Sequence, residues 1–197
     1  MKGSRPLTRE NVKAVLKATD SIRHKTLLTL GFCTGYRISE LLSLKISDVS
    51  TDGTIHSHVT VKAAHTKTKT TRSVMLNSDA KKALTVLINW LQSKGFTDAT
   101  TPLFLSQKRT TNGDLKAISR IQAHRIFKDL FEQIGLLGHS YSTHSMRKTM
   151  AAYIYDMTGG KIEKVAAVLG HKSLNSTLSY LSFNNSDIDN ALTALEF

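Results

Sequence analysis

The chain has 197 residues, enough for one generous domain or a domain with a small appendage, and its 40% apolar and 21% charged content is that of an ordinary globule. No apolar run approaches the ~20 residues of a membrane span, no apolar segment follows the Met-Lys-Gly-Ser-Arg start, and the single Cys33 excludes an internal disulfide, so a cytoplasmic protein away from membranes is predicted. Lys and Arg number 27 against 15 Asp and Glu, and a net charge of +12 favours a polyanionic partner, because phosphates release counterions when neutralised.

In chain order, Thr8 is the expected N-cap of a helix with Val12, Val15 and Leu16 on one face. "IRHKTLLTLGFCTG" reads as a second helix that stops at Gly35, with Cys33 packed as a small hydrophobe. "RISELLSL" is a short helix and "SDVSTDG" a turn. "TIHSHVTVKA" alternates with the period of a strand, and "RSVML" is a shorter strand after the polar "HTKTKTT". The pair predicts a hairpin with a basic, Thr-rich tip. Ser78 is the expected cap of "DAKKALTVLINWLQSKG", which closes at Gly95. "SRIQAHRIFKDLFEQIGL" follows as a helix, and "STHSMRKTMAAYIYDM" begins another that ends at Gly159 and Gly160. "KIEKVAAVLG" is short and stops at Gly170, "NSTLSYL" supplies one or two turns, and "SDIDNALTALEF" is a last amphipathic helix. The expected architecture is mainly α with a small antiparallel β-sheet at one edge, in a single domain.

Four stretches carry chemistry. "THSMRKTM" puts His144 three residues before Arg147, which places both on one helical face. "TGYRISELLSL" sets Arg37 at a helix start, "TKTKTTRSVML" puts Lys67 and Lys69 in the hairpin tip, and "VLGHKSLNSTLSYL" has His171 after a helix-ending glycine with Tyr180 nine residues on. Each has a plainer reading. Arg37 could cap a helix, His144 could be a satisfied core histidine, and Tyr180 could be a half-buried aromatic. Glu40 reads as structural, paired with a backbone donor or a basic neighbour.

Taken in order, T-G-x-R-x-S-E-L, a hairpin lysine ahead of an apolar strand, H-x-x-R, L-G-H and a Tyr nine residues later resemble the tyrosine recombinases, the phage-integrase family, over about residues 6 to 182. The resemblance implies the catalytic-domain fold of that family and the catalytic set Arg37, Lys67, His144, Arg147, His171 and Tyr180. Lys67 is preferred over Lys69 because it stands five residues before Arg72 and eight before Met75, the family's usual place relative to its basic residue and strand-end proline. Met75 replaces that proline, and Lys148 stands where H-x-x-R-H is common. Neither change removes a reacting group.

These residue types suit phosphoryl transfer. A phosphodiester repels nucleophiles, so attack needs fixed positive charge on its non-bridging oxygens, which two guanidinium forks and a histidine donor supply. Tyr180 is the expected nucleophile, His144 its base, and Lys67 the acid for the departing 5′ oxygen. Tyr36, Tyr141, Tyr153 and Tyr155 are rivals by type, but none follows L-G-H at that spacing. No cofactor or metal is expected, since no carboxylate cluster is set to hold a metal pair. Aromatics are few, at 7%, which favours backbone recognition of duplex DNA over base stacking.

The implied function is site-specific recombination through a 3′-phosphotyrosyl intermediate, giving integration, excision, inversion or resolution. Two alternatives share the fold or the chemistry. A type IB topoisomerase would relax DNA as a monomer, and a DNA-binding regulator would keep the fold without needing Tyr180. Only about thirty residues precede "TGYR", so the N-terminal DNA-clamping domain of most family members is expected to be absent, either because the chain is a catalytic fragment or, the preferred reading, because it is a natural short form like the fimbrial-type invertases. Weaker or partner-assisted DNA binding follows, with a DNA-bending accessory protein as a possible helper and the nucleoid as the place of action. The 186–197 helix carries Ile188, Leu192 and Leu195 as an apolar stripe after a break at Asn184 and Asn185. By the resemblance it docks into a neighbouring subunit, so a monomer in solution is expected to form a cyclic homotetramer on two DNA sites.

Overall fold

Thr8 opens the first helix: its Oγ1 accepts the Asn11 amide at 3.2 Å, and α1 (Arg9–Lys17) buries Val15. The computed structural model describes residues 4–66, 69–137, 140–171, 173–178 and 180–181. The expectations for Lys67, for the Asn184–Asn185 break and for the 186–197 helix lie outside the described residues. The chain divides into two compact units, Met1–Met150 and Ala151–Phe197.

In the first unit, α2 (Ile22–Thr34) is capped by Ser21 and ends at Gly35, whose φ of 58° is left-handed and strains any residue with a Cβ. α2 buries the unbroken run Thr26 to Gly31, on every side of the helix, while Arg23, His24 and Lys25 in its first turn stay at least partly exposed. Gly31 on this helix is a close-approach position, because a Cβ there would overlap the Met146 sulfur. α3 (Ile38–Leu42) follows α2 after three residues. The stretch expected to be only a turn instead contains one helical turn, α4 (Ile46–Val49). Asp48 makes the difference: its carboxylate accepts the Lys45 amide at 2.8 Å and closes that turn from within.

The long strand expected over residues 54–63 is also corrected. β1 (Ser50–Thr51) pairs with β2 (Thr54–Ile55) around an Asp52–Gly53 turn with φ of 49° and 77°, and β3 (His58–Val61) pairs with β4 (Arg72–Met75) in a second sheet. The His56 amide still bonds to Val49 O, whereas Ser57 O already accepts from Leu76. The chain therefore changes pairing partner between 56 and 57. Alternating side chains say which face a residue takes, not which strand it pairs with. Among the described residues two small two-stranded sheets result, in place of one. Register in the second sets Val59 opposite Val74 and Val61 opposite Arg72, with Val59 and Val61 turned into the core.

α5 (Ser78–Ser93) is capped by Asn77, whose Oδ1 accepts the Ala80 amide at 2.9 Å; the expected cap, Ser78, is already the first helical residue. Both types cap well, so the choice rests on how the chain arrives from β4. α6 (Arg120–Gln133), capped by Ser119, packs Phe127 and Phe131 into the same core as Leu27, Leu41, Leu84 and Leu87. α7 (Thr143–Met157) begins in the first unit. In the second unit, α8 (Ile162–Leu169) and α9 (Leu174–Leu178) pack together and bury Val165, Leu169 and Thr177. Among the described residues no helix is long and apolar enough to cross a membrane.

Candidate active site

In the first unit the candidate residues gather on one turn, Thr34–Arg37. Arg37 is the N-cap of α3 and has extended backbone, so its amide points at its own helix end. Glu40, one helical turn on, fills that place. Its Oε2 accepts the Arg37 amide at 2.7 Å and its Oε1 accepts from Arg37 Nη1 at 2.8 Å. Glu40 is only 1% exposed, which makes it the structural anchor of Arg37 rather than a proton carrier.

Arg147 approaches the same turn from α7 and donates through Nη1 to the Gly35 carbonyl. It is 1% exposed, the largest fully buried side chain in the protein's described part. Burial of a guanidinium is costly unless its donors are matched, so its position is closely defined. The start of α7 is fixed too. Ser142 Oγ accepts the His144 amide at 3.2 Å while Ser145 Oγ accepts the Ser142 amide at 3.1 Å, a reciprocal cap. Thr149 Oγ1 then accepts the Leu7 amide at 2.8 Å and tethers the N-terminal segment to the helix.

His144 sits in this first turn and is exposed, not a satisfied core histidine. Its pKa is held below the ordinary 6.5, by desolvation first and then by the positive charges of Arg147, Arg37 and Lys148. At neutral pH its ring is therefore neutral and able to accept a proton.

In the second unit His171 and Tyr180 lie together. Gly170 ends α8 in the left-handed region with φ 65°, and the His171 amide bonds back to Ala166 O at 3.0 Å, which throws the imidazole off the helix end. Its Nδ1 is 2.9 Å from the Oγ1 of buried Thr177, the donor depending on the tautomer. The Thr177 carbonyl accepts the Tyr180 amide at 2.9 Å and the Leu181 amide at 3.1 Å. One residue thus sets both the ring of His171 and the backbone of Tyr180. The two rings are tilted at 56° with centroids 5.1 Å apart.

The other tyrosines are placed differently. Tyr36 is fully buried, and burial first pushes its phenol up to about 12, against the lowering effect of Arg72. Tyr141 is half-buried against Phe131, with centroids 6.2 Å apart. Tyr153 is exposed and Tyr155 half-buried on α7.

Sequence reasoning passed over Arg72, Tyr36, Thr177 and Ser142 as parts of this arrangement. Ser142 was the one with a local signal, since S-x-x-S before an apolar run can cap reciprocally. Among the described residues, no three of His, Cys, Asp and Glu gather as a metal site would require.

Residues 5–186 match the model of the phage integrase family. The chain is 28% identical over 189 residues to a tyrosine recombinase XerC of Caldanaerobacter subterraneus subsp. tengcongensis, covering 94% of this chain and 49% of that protein. It spans about half the length of this and similar curated relatives. In fold it is similar to a crystal structure of XerA recombinase, with a TM-score of 0.74 at 24% identity over 100% of this chain and 66% of that one. It is also similar to XerH site-specific recombinase bound to difH substrate in a pre-cleavage complex, with a TM-score of 0.70 at 21% identity over 100% of this chain and 56% of that one. With the match running through nearly the whole chain, from the α1 segment past Tyr180, this protein belongs to the phage integrase family.

Proposed function

We propose that the chain is the catalytic part of a site-specific DNA recombinase that breaks and rejoins strands through a 3′-phosphotyrosyl intermediate. The observation that carries this reading is the pairing of Tyr180 with His171 behind the Gly170 stop, a phenol and an imidazole both positioned by Thr177. Nothing in plain DNA binding requires that pair.

Tyr180 Oη attacks the scissile phosphorus while His144 takes its proton. Arg37 and Arg147 bind the non-bridging oxygens, with Glu40 holding Arg37 and the Gly35 carbonyl holding Arg147. His171 donates a further hydrogen bond. The P–O bond to the 5′ oxygen breaks, and that oxygen takes a proton from Lys67. The phosphotyrosyl bond keeps the energy of the broken one, so a 5′ hydroxyl from a second strand can reverse the step. Duplex DNA is the substrate in this reading. Four copies act on paired sites with segment 186–197 reaching into a neighbour, an accessory DNA-bending protein assists, and the work is done in the cytoplasm on the nucleoid.

The test is a randomised library of nicked duplexes, in which the nick lets the short 5′-hydroxyl fragment diffuse away after attack. A denaturation-resistant adduct is expected, and sequencing the captured DNA gives the site. All the positive charge invoked comes from side chains, so the adduct is expected to form equally well in EDTA. Capture that needs magnesium points to a metal nuclease and overturns the mechanism.

The base has its own test. Deprotonated His144 is the active form, and its folded pKa lies below 6.5, so activity is lost as pH falls through that lowered value and is intact above it. Measured with subsaturating DNA, the acid limb of cleavage is expected below pH 6.5 and is expected to vanish in His144→Gln. An acid limb unchanged by the substitution assigns the base elsewhere.

A further inference from the structure

The α2–α3 turn and the β3–β4 hairpin grip each other through two side chains that the mechanism above leaves without a task. Tyr36 reaches from the turn into the hairpin. Its hydroxyl lies 2.9 Å from the carbonyl oxygen of Val59 on β3 and 2.7 Å from that of Arg72 on β4, so its one proton is shared between the two strands. Arg72 reaches the other way, from hairpin into turn. Its guanidinium carbon stands 4.4 Å from the centre of the Tyr36 ring, its Nη2 donates to Thr34 O at 2.6 Å, and its Nη1 lies 3.5 Å from Gly35 O and 3.7 Å from Glu40 Oε2. The grip is reciprocal: each side chain holds the backbone of the other's element.

Packing alone does not ask for these residue types. A phenylalanine would fill the ring's volume, and well-packed apolar residues usually serve a core at least as well as buried ions do. Yet Tyr36 is fully buried and the Arg72 side chain is 10% exposed. What the pair connects is specific. On the turn side are Gly35 O, which also seats Arg147, and Glu40, which also holds Arg37. On the other side is a two-stranded hairpin of four residues per strand, too small to be stable alone; Val59 and Val61 anchor its β3 strand in the core, and Tyr36 and Arg72 add hydrogen bonds that reach both strands. That hairpin bears the lysine expected to protonate the leaving group.

We propose that Tyr36 and Arg72 form a clasp that holds the β3–β4 hairpin in place against the arginine-bearing turn, which makes both of them positioning residues for strand cleavage. The clasp rests on the recombinase reading above. Its two halves act on different parts of the reaction. The Tyr36 hydroxyl holds the hairpin and therefore the acid. The Arg72 guanidinium holds the turn carbonyls and Glu40, and therefore the groups that bind the non-bridging oxygens.

A pair of substrates separates these effects. One is the captured nicked duplex; the other is the same duplex with sulfur at the bridging 5′ position. With oxygen, the P–O bond breaks and the leaving alkoxide takes a proton; with sulfur, the P–S bond breaks and a thiolate leaves without one. Tyr36→Phe is expected to cleave the oxygen substrate about ten- to a hundredfold more slowly, the scale of a slightly misplaced group, with DNA affinity held within about twofold. On the sulfur substrate it is expected to come within about threefold of wild type, because the acid is no longer needed. Arg72→Met is expected to be slow on both substrates, and Arg72→Lys, which keeps the charge but not the fork, is expected to follow it.

Equal slowing of Tyr36→Phe on the two substrates means the hydroxyl matters only to stability, and full speed on oxygen means it does not matter; either overturns the clasp. If Arg72→Met loses its cooperative melting transition, the Tyr36→Phe pair of rates decides alone. Failure of the wild-type protein to form an adduct on either substrate overturns the recombinase reading instead, which keeps the two conclusions apart.

Discussion

Tyr180→Phe is expected to abolish covalent capture of DNA while leaving DNA binding unchanged. The substitution deletes one oxygen atom, and that atom is the nucleophile, so no slower route to the same adduct remains. The ring stays, and with it the contact to His171 at 5.1 Å and the backbone bond from residue 180 to Thr177, so the local fold has little reason to change. Binding draws on a net charge of +12 spread over the chain, and loss of a phenol alters none of it. The measurement is a denaturing gel of the nicked duplex beside a native titration of the same DNA. A full-strength adduct from the Phe variant hands the role to another tyrosine. Tyr36 is a poor heir, since burial holds its phenol protonated, up to about 12. Exposed Tyr153 would be the first to examine.

The sequence was most legible where a signal is local. Thr8 and the Gly35 and Gly170 stops are short-range chemistry, and helix boundaries followed from them closely. Helical spacing likewise set His144 and Arg147 on one face of α7, whereas Arg37, more than a hundred residues earlier, and the pairing of His171 with Tyr180 were grouped with them only through the family resemblance. Glu40 was read as an anchor, and it holds Arg37 from both its amide and its guanidinium.

What stayed hidden depends on residues far apart in the chain. Tyr36 looked like a rival nucleophile and Arg72 like a register mark, because their meaning lies in contacts across 23 and 38 positions. The switch of partner at His56–Ser57 was invisible for the same reason. Arg147 was read as a phosphate fork without its burial, which comes from how α7 lies against the Gly31 face of α2.

That burial sharpens the expectation for the two arginines. Arg37→Ala and Arg147→Ala are each expected to slow cleavage by at least about a hundredfold, or about 2.7 kcal/mol, the scale for losing one preorganised donor to a transition-state oxygen. Their structural consequences should differ. The Arg37 side chain is 18% exposed and vacates little buried volume, but Arg37→Ala takes the 2.8 Å donor from Oε1 of Glu40, which is 1% exposed, so it is expected to lower the Tm through that carboxylate. Arg147 is buried at 1% and donates to the Gly35 carbonyl in the interior, so Arg147→Ala empties a large buried volume and leaves that carbonyl the long 3.5 Å bond from Arg72. A truncation of that size in the interior costs about 2–5 kcal/mol and shows as a lower Tm. Single-turnover cleavage at saturating DNA, read beside thermal melting, separates the two effects, provided that both variants are assayed well below their transitions. Equal losses in DNA affinity and in cleavage rate would reduce the arginines to contact residues. A rate loss in Arg147→Ala that disappears when the assay is cooled would make its role one of stability, and would leave Arg37 as the only guanidinium acting on the phosphate.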